Sequence, residues 1–284
     1  MIICVCGPTG IGKTRLSEFL AEKYNGIVLN ADATQIYKYL DIGSAKITKE
    51  EMGERKHFLF DIKNPDEDYS VMEYQIDARN ILKEYENQNI IVVGGTGLYI
   101  KALFYDYKFN KLNEENFEKY SNEQLYLMAK EKGCNNIHQN NRVRLINYLK
   151  RDDNKNNKDK SLYDVIYIGL TGPREKIYET VNNRVDKMLN NGLEKEVKDL
   201  YLKYPNSNIL KRAIGYKELI DYINNKVSYE KAIENIKKNT RHYVKRQYTW
   251  FNNQLNVNWF NVNFDNFQET EEEISSFIDS LNSK

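Results

Sequence analysis

Five short apolar runs, rich in β-branched residues, punctuate the chain: 1–6 (MIICVC), 27–30 (IVLN), 90–94 (IIVVG), 164–170 (DVIYIGL) and 257–262 (VNWFNV). Each is too short for a helix and is bounded by polar or glycine-bearing residues, so each predicts a strand. Between them, apolar residues recur at helical spacing over 13–24, 70–87, 97–105, 174–190, 192–203, 211–223 and 228–253. Ser228 is placed to cap the last of these, with Glu230 in its first turn, and Ile274, Phe277, Ile278 and Leu281 give the C-terminal segment one apolar stripe. Strands separated by helices predict a parallel sheet covered by helices, with ligands bound beyond the carboxyl ends of the strands.

The alternation breaks at 107–150, which is rich in Asn, Glu and Lys, helical in pattern and without a strand. It predicts a small helical insertion. The run RDDNKNNKDKS at 151–161 is almost wholly polar and reads as a mobile return loop. The expected organisation is therefore a core of 1–106 and 162–284 with an insertion at 107–161.

Composition adds exclusions. With 40% hydrophobic and 29% charged residues, the chain has no apolar run near the ~18–20 residues that cross a bilayer. Its apolar start runs directly into a glycine loop, which reads as a buried strand and not an export signal, so no membrane association and a cytoplasmic location are expected. Cys4, Cys6 and Cys134 form no disulfide framework, and His57, His138 and His242 lack metal-ligand spacing. The net charge of +1 provides no global field for a polyanion. Locally, residues 211–246 carry ten Lys/Arg against four acids, and 264–284 are acidic. A basic segment of that kind is a weak pointer to a polyanionic partner, since charge runs are more often solvated faces.

The candidate chemistry begins at GPTGIGKT, residues 7–14, which satisfies G-x-x-x-x-G-K-[ST] between a strand and a helix. Gly7, Pro8, Thr9, Gly10, Ile11 and Gly12 would form a cradle of backbone N–H groups, Lys13 a point charge, and Thr14 a hydroxyl for a phosphate-bound Mg²⁺. The expected fold is thus α/β, resembling the P-loop NTPases. A hydrolysing NTPase usually ends a second strand in a carboxylate, whereas 89–99 (NIIVVGGTGLY) ends in Gly94-Gly95-Thr96. Those glycines suit a backbone close to a ligand, with Thr96 as a hydroxyl partner; a plain turn with Thr96 as N-cap fits the residue types equally well. Asp32, after the strand at 27–30, is either an N-cap or a general base beside the phosphate loop.

The chain resembles the bacterial tRNA dimethylallyltransferases along most of its length. The resemblance runs through GPTGIGKT (7–14), NADATQIYKYLDIGSAK (30–46), KHFLFDIKNPDEDYSVMEYQIDA (56–78), VVGGTGLYIKAL (92–103), IHQNN (137–141), NNRVDKMLNNGLEKEV (182–197), RAIGYKEL (212–219) and TRHYVKRQYTWF (240–251). It implies transfer of a dimethylallyl group from dimethylallyl diphosphate to N6 of the adenosine 3′ to the anticodon in tRNAs that read codons beginning with U. It further implies Asp32 as base, Thr96 beside the target adenine, and Lys13, Thr14, Mg²⁺ and an arginine such as Arg212 around the departing diphosphate. Contact with the tRNA anticodon loop is implied for Asp32, Ala33, Thr34, Gln35, Thr96, Arg144, Arg212, Gly215, Tyr216, Lys217, Lys245, Arg246, Gln247 and Trp250. Ala33 and Asn147 depart from the family's usual Ser and Arg, and the insertion is short. A monomer is expected, because an asymmetric tRNA gives no reason for a symmetric dimer.

Three other readings make different predictions. A nucleotide or metabolite kinase would consume ATP and use arginines of the insertion, such as Arg142, Arg144 and Arg151, as a lid. A prenyltransferase acting on free AMP would leave the basic C-terminal helix without a task. An NTP-gated RNA-binding module would have no chemistry to lose on Asp32→Asn.

Overall fold

The structure, a computed structural model, describes residues 1–109, 115–150 and 160–282. Most of the expected return loop, at 151–159, lies outside the described residues. In chain order the elements are β1 (Ile2–Cys6), α1 (Lys13–Lys23), β2 (Gly26–Asn30), α2 (Lys49–Met52), β3 (His57–Phe58), α3 (Val71–Glu84), β4 (Asn89–Val93) and α4 (Gly97–Phe104). They continue with α5 (Asn122–Glu131), α6 (Arg142–Leu149), β5 (Val165–Thr171), α7 (Arg174–Asn190), α8 (Leu193–Lys203), α9 (Tyr216–Ile223), α10 (Tyr229–Gln254), β6 (Asn258–Asn261) and α11 (Phe267–Asn282).

All the strands run parallel, in the order β3-β2-β4-β1-β5-β6. Strand β1 lies between β4 and β5, with Ile2 level with Ile90 on one side and Val165 on the other. Its run IICVC is apolar throughout because both faces of the sheet are covered. Cys4, Cys6, Leu29 and Val92 face a core completed by Tyr74, Ile100, Leu103 and Tyr216, while Ile3, Val5, Val28 and Ile91 face Leu16, Leu20, Ile274 and Ile278. The three cysteines are free and buried.

The chain divides into two compact units, residues 1–105 with 161–284, and residues 106–160. The smaller unit has its own core, in which Phe117, Leu125 and Ala129 pack with Cys134, Leu145 and Leu149. Arg142 ties this unit together by donating to the carbonyls of Tyr120 and Glu118. That role sets it apart from a lid arginine.

Two short elements appear that the pattern did not predict, and one helix starts later than expected. Strand β3 has only two residues and too little pattern to be seen in sequence. The one-turn helix α2 carries a readable signal, a Thr48–Glu51 capping box, that the periodicity of a four-residue element cannot reveal. The helix expected over 211–223 starts only at Tyr216, because Gly215 adopts φ +95° and the preceding residues form tight turns. Ser228 does cap α10, accepting the N–H of Lys231.

Candidate active site

The carboxyl ends of β1, β2 and β4 converge on one cleft. After β1 the chain turns through Gly7, whose φ of +128° and closeness to Leu170 exclude a side chain, and Gly12 (φ +99°) starts α1. Thr9, Gly10, Gly12, Lys13 and Thr14 line a cavity of about 930 Å³. Asp32 and Gln35 from the turn after β2, and Gly94 after β4, complete this part of the wall. Lys13 donates through Nζ to the Pro8 carbonyl at 2.7 Å. Burial pulls its pKa down to about 8, with Asp32 opposing the shift and Arg184 adding to it.

A second cavity of about 310 Å³ shares Thr9, Asp32, Ser44, Arg184 and Met188 with the first. Its other walls include Thr34, Arg212, Gly215, Lys217, Tyr243 and Arg246. The two spaces thus meet at Asp32, one floored by the phosphate loop and the other edged by cations. Asp32 Oδ1 accepts the N–H of Thr34 at 2.9 Å, and a turn follows instead of a helix. The N-cap alternative for Asp32 is therefore replaced by an Asx turn, which fixes the carboxylate at the junction.

Gly94 and Gly95 have protein reasons for being glycine. A Cβ on Gly94 would come within 2.2 Å of the Ala31 backbone, and one on Gly95 within 2.3 Å of Gln247 Nε2. Close packing against Ala31, just after β2, and against α10 is thus reason enough for both glycines, while Gly94 still borders the phosphate-loop cavity. Thr96 stands at the N-cap position of α4 but makes no side-chain cap. Its Oγ1 instead accepts the N–H of Ala33 at 3.0 Å, joining the end of β4 to the Asp32 turn.

Several expected contact residues prove to be buried. Gln247 is 4% exposed, and its amide is held by the Thr9 N–H and the Gly95 carbonyl. Tyr216 is fully buried, with its hydroxyl on Glu196. Trp250 packs against Gly97 at the start of α4 and shares an outer hollow with Lys245, Arg246 and Thr249. Lys245 and Arg246 are exposed. Arg144 lies on α6 of the smaller unit, where its N–H is capped by Asn141.

Arg184 of α7 reaches the phosphate-loop cavity, which Arg15 of α1 also lines. Arg212, expected there, lines only the second cavity. Arg184 Nη2 donates to the Ser44 carbonyl at 3.2 Å, and burial lowers its pKa while Asp32 opposes. The sequence block NNRVDKMLNNGLEKEV contains it, but only the fold brings α7 to the loop. Tyr243 is one of the aromatic side chains interleaved with the cations of α10. It lines the second cavity, and burial and the Asp32 charge raise its pKa against hydrogen bonds with Thr96 and Gln247.

Among the described residues no cluster of three His, Cys, Asp or Glu side chains gathers for a metal ion. The hard oxygen available at the loop is the exposed hydroxyl of Thr14. That donor set suits Mg²⁺, which commonly binds through substrate phosphates and keeps several waters. No helix among the described residues is long and apolar enough to cross a membrane.

One pH dependence arises here. Protonated Lys13 attracts an anionic ligand, so kcat/KM for a diphosphate donor should be level below pH ~8 and fall as pH rises through that value, because this parameter reports the free enzyme. A steady-state pH profile checks it; a limb that begins only near the ordinary lysine value of 10.5 would contradict the assignment.

The chain is similar to known proteins along most of its length. The IPP transferase family model matches residues 35–254. A protein of Anoxybacillus flavithermus described as tRNA dimethylallyltransferase is 41% identical over 98% of this chain and 96% of its own length. A crystal structure of tRNA delta(2)-isopentenylpyrophosphate transferase from Staphylococcus epidermidis matches with TM-score 0.77 and 35% identity over 98% of both chains. A eukaryotic dimethylallyltransferase acting on tRNA shares the fold, with TM-score 0.78 over 92% of this chain and 73% of its own, at 24% identity.

Proposed function

The chain belongs to the IPP transferase family, and on that premise we propose that it is a tRNA dimethylallyltransferase whose two joined cavities receive the donor and the target adenosine on either side of Asp32. The single observation that carries the site assignment is this junction: one carboxylate bordering both a phosphate-loop cavity and a cation-edged cavity.

The donor is dimethylallyl diphosphate, with its diphosphate over residues 7–14. In the transfer, the bond from adenine N6 to the allylic carbon forms, the allylic C–O bond breaks, and diphosphate leaves with the bonding pair. Lys13, Arg184 and the loop N–H groups stabilise the charge that grows on it. Asp32 accepts the N6 proton, a role that suits an ionised carboxylate and contributes about 10²–10⁴-fold. Mg²⁺ held by the diphosphate and Thr14 Oγ1 would supply further positive charge to the leaving group. No phosphoryl group moves, in keeping with the absence of a carboxylate at the end of β4.

The acceptor is the adenosine 3′ to the anticodon in tRNAs that read codons beginning with U. A loop adenine is among the cheaper bases to extrude into a pocket. Thr34, Arg212, Lys217 and Arg246 edge the cavity that would receive it, and Lys245 and Arg246 extend the cationic surface outward along α10. The protein is assigned as a cytoplasmic monomer.

Following labelled donor, tRNA and released diphosphate together tests this reading. One diphosphate should appear for each prenyl group attached, with no ATP consumed and with the rate falling when metal is chelated; release of inorganic phosphate from ATP would sink it. The α10 surface has its own check. Replacing Lys245 and Arg246 with Ala should weaken tRNA binding and lower the slope of log K against log salt by about 2, as expected for two lost phosphate contacts. An unchanged slope would remove these residues from the interface.

A further inference from the structure

Gln247 sits in the basic helix α10 between the exposed Arg246 and the half-buried Tyr248, and its own side chain is buried in the core. Its Oε1 accepts the backbone N–H of Thr9 in the phosphate loop at 3.0 Å, and its Nε2 donates to the carbonyl of Gly95 at 3.0 Å. One amide therefore joins three elements: the loop after β1, the turn after β4, and the helix whose adjacent Arg246 lines the second cavity. The space is reserved for it, because any side chain at position 95 would collide with Nε2. Thr9 borders both cavities.

We propose that Gln247 is a positioning residue that latches helix α10 to the phosphate loop, so that tRNA docking and diphosphate binding assist one another. Removing the latch leaves a part-buried N–H and a buried carbonyl without this partner, and frees the loop to move independently of α10. Thr9 N–H is also one of the donors a cradle of this kind could aim at phosphate. With that N–H turned to Gln247, α10 sets the loop's conformation from the side away from the anion.

This inference rests on the proposed transferase reading, and binding measurements separate the two. The probes are inorganic diphosphate with Mg²⁺ for the donor site and an unmodified tRNA anticodon stem-loop for the acceptor. In the unaltered protein, saturating diphosphate should tighten stem-loop binding about tenfold, within the usual range of coupling between sites. In Gln247→Met, of similar length and without hydrogen-bonding groups, that gain should shrink to less than about twofold, while stem-loop affinity without diphosphate stays at its original value. Gln247→Glu keeps an acceptor for Thr9 and cannot donate to Gly95; its coupling should be intermediate, and it serves if the Met variant fails to fold.

Full coupling in a folded variant, or no coupling in the unaltered protein, overturns the proposal. So does loss of stem-loop affinity in the absence of diphosphate, which would make Gln247 a direct RNA contact. Failure of the unaltered protein to prenylate tRNA would instead count against the transferase reading.

Discussion

Asp32→Asn is expected to lower prenyl-transfer turnover by about 10²–10⁴-fold while tRNA and donor affinities stay within about twofold. Asn preserves the shape of the side chain and an oxygen for the Thr34 N–H, so the Asx turn that holds residue 32 at the junction survives. What disappears is the carboxylate proposed to take the N6 proton. The assay belongs near pH 7, because loss of the neighbouring negative charge would lower the Lys13 pKa further from its value of about 8. Single-turnover rates with saturating donor and tRNA make the measurement. A variant with near-normal rate would take Asp32 out of the mechanism, whereas lost binding with unchanged chemistry would make it a docking group.

Arg184→Met should cost about 10²–10³-fold in kcat/KM for the donor, the size associated with removing one preorganised group from a site of developing negative charge. Arg184 borders the phosphate-loop cavity, whereas Arg212 borders only its neighbour. Arg212→Met should therefore act mainly through the tRNA, and the two variants should separate when KM for each substrate is measured. Arg184 also supports the Ser44 carbonyl, which lies in a loop held from the other side by Glu196. The Glu196 carboxylate accepts the backbone N–H groups of Asp41, Ile42 and Gly43 and the Tyr216 hydroxyl. That independent anchor keeps the loop in place in the variant, so the loss reads as missing charge. Equal effects of Arg184→Met and Arg212→Met on the donor parameters would contradict the assignment.

Much of this arrangement was legible in the sequence because it follows from local signals. The apolar runs located β1, β2, β4 and β5, since a strand covered on both faces needs a continuous apolar run, and the edge strand β6 was located by its shorter Val-Asn-Trp-Phe run. The loop 7–14 was readable because its glycines, lysine and threonine act at consecutive positions. Asp32 could be placed at a strand end, but whether it capped a helix or faced the cleft depended on what followed it. The turn at 32–35 and the Thr96–Ala33 hydrogen bond decided that, and both depend on β2 lying beside β4.

The rest was hidden for the same reason. Arg184 is one of many cations on amphipathic helices, and nothing within α7 distinguishes it; its burial beside Lys13 is a product of tertiary packing. Gln247 lies in a basic, aromatic stretch that resembles a contact surface, yet the helix turns that residue inward. Its likeness to its neighbours in sequence is undone by the period of 3.6 residues. Gly94 and Gly95 carried a correct signal of close approach and left the approaching group unnamed. The backbone of Ala31 and the side chain of Gln247 proved to be that group.

The central claim is that a diphosphate departs from the phosphate loop while its carbon is captured by an adenine of tRNA. The measurement that tests it most directly is incubation of the protein with dimethylallyl diphosphate labelled in the prenyl group, in the presence of unmodified tRNA or, separately, of AMP. Label is expected on N6 of the adenosine 3′ to the anticodon, and none on AMP. Label on AMP alone, or on neither acceptor, would contradict the claim.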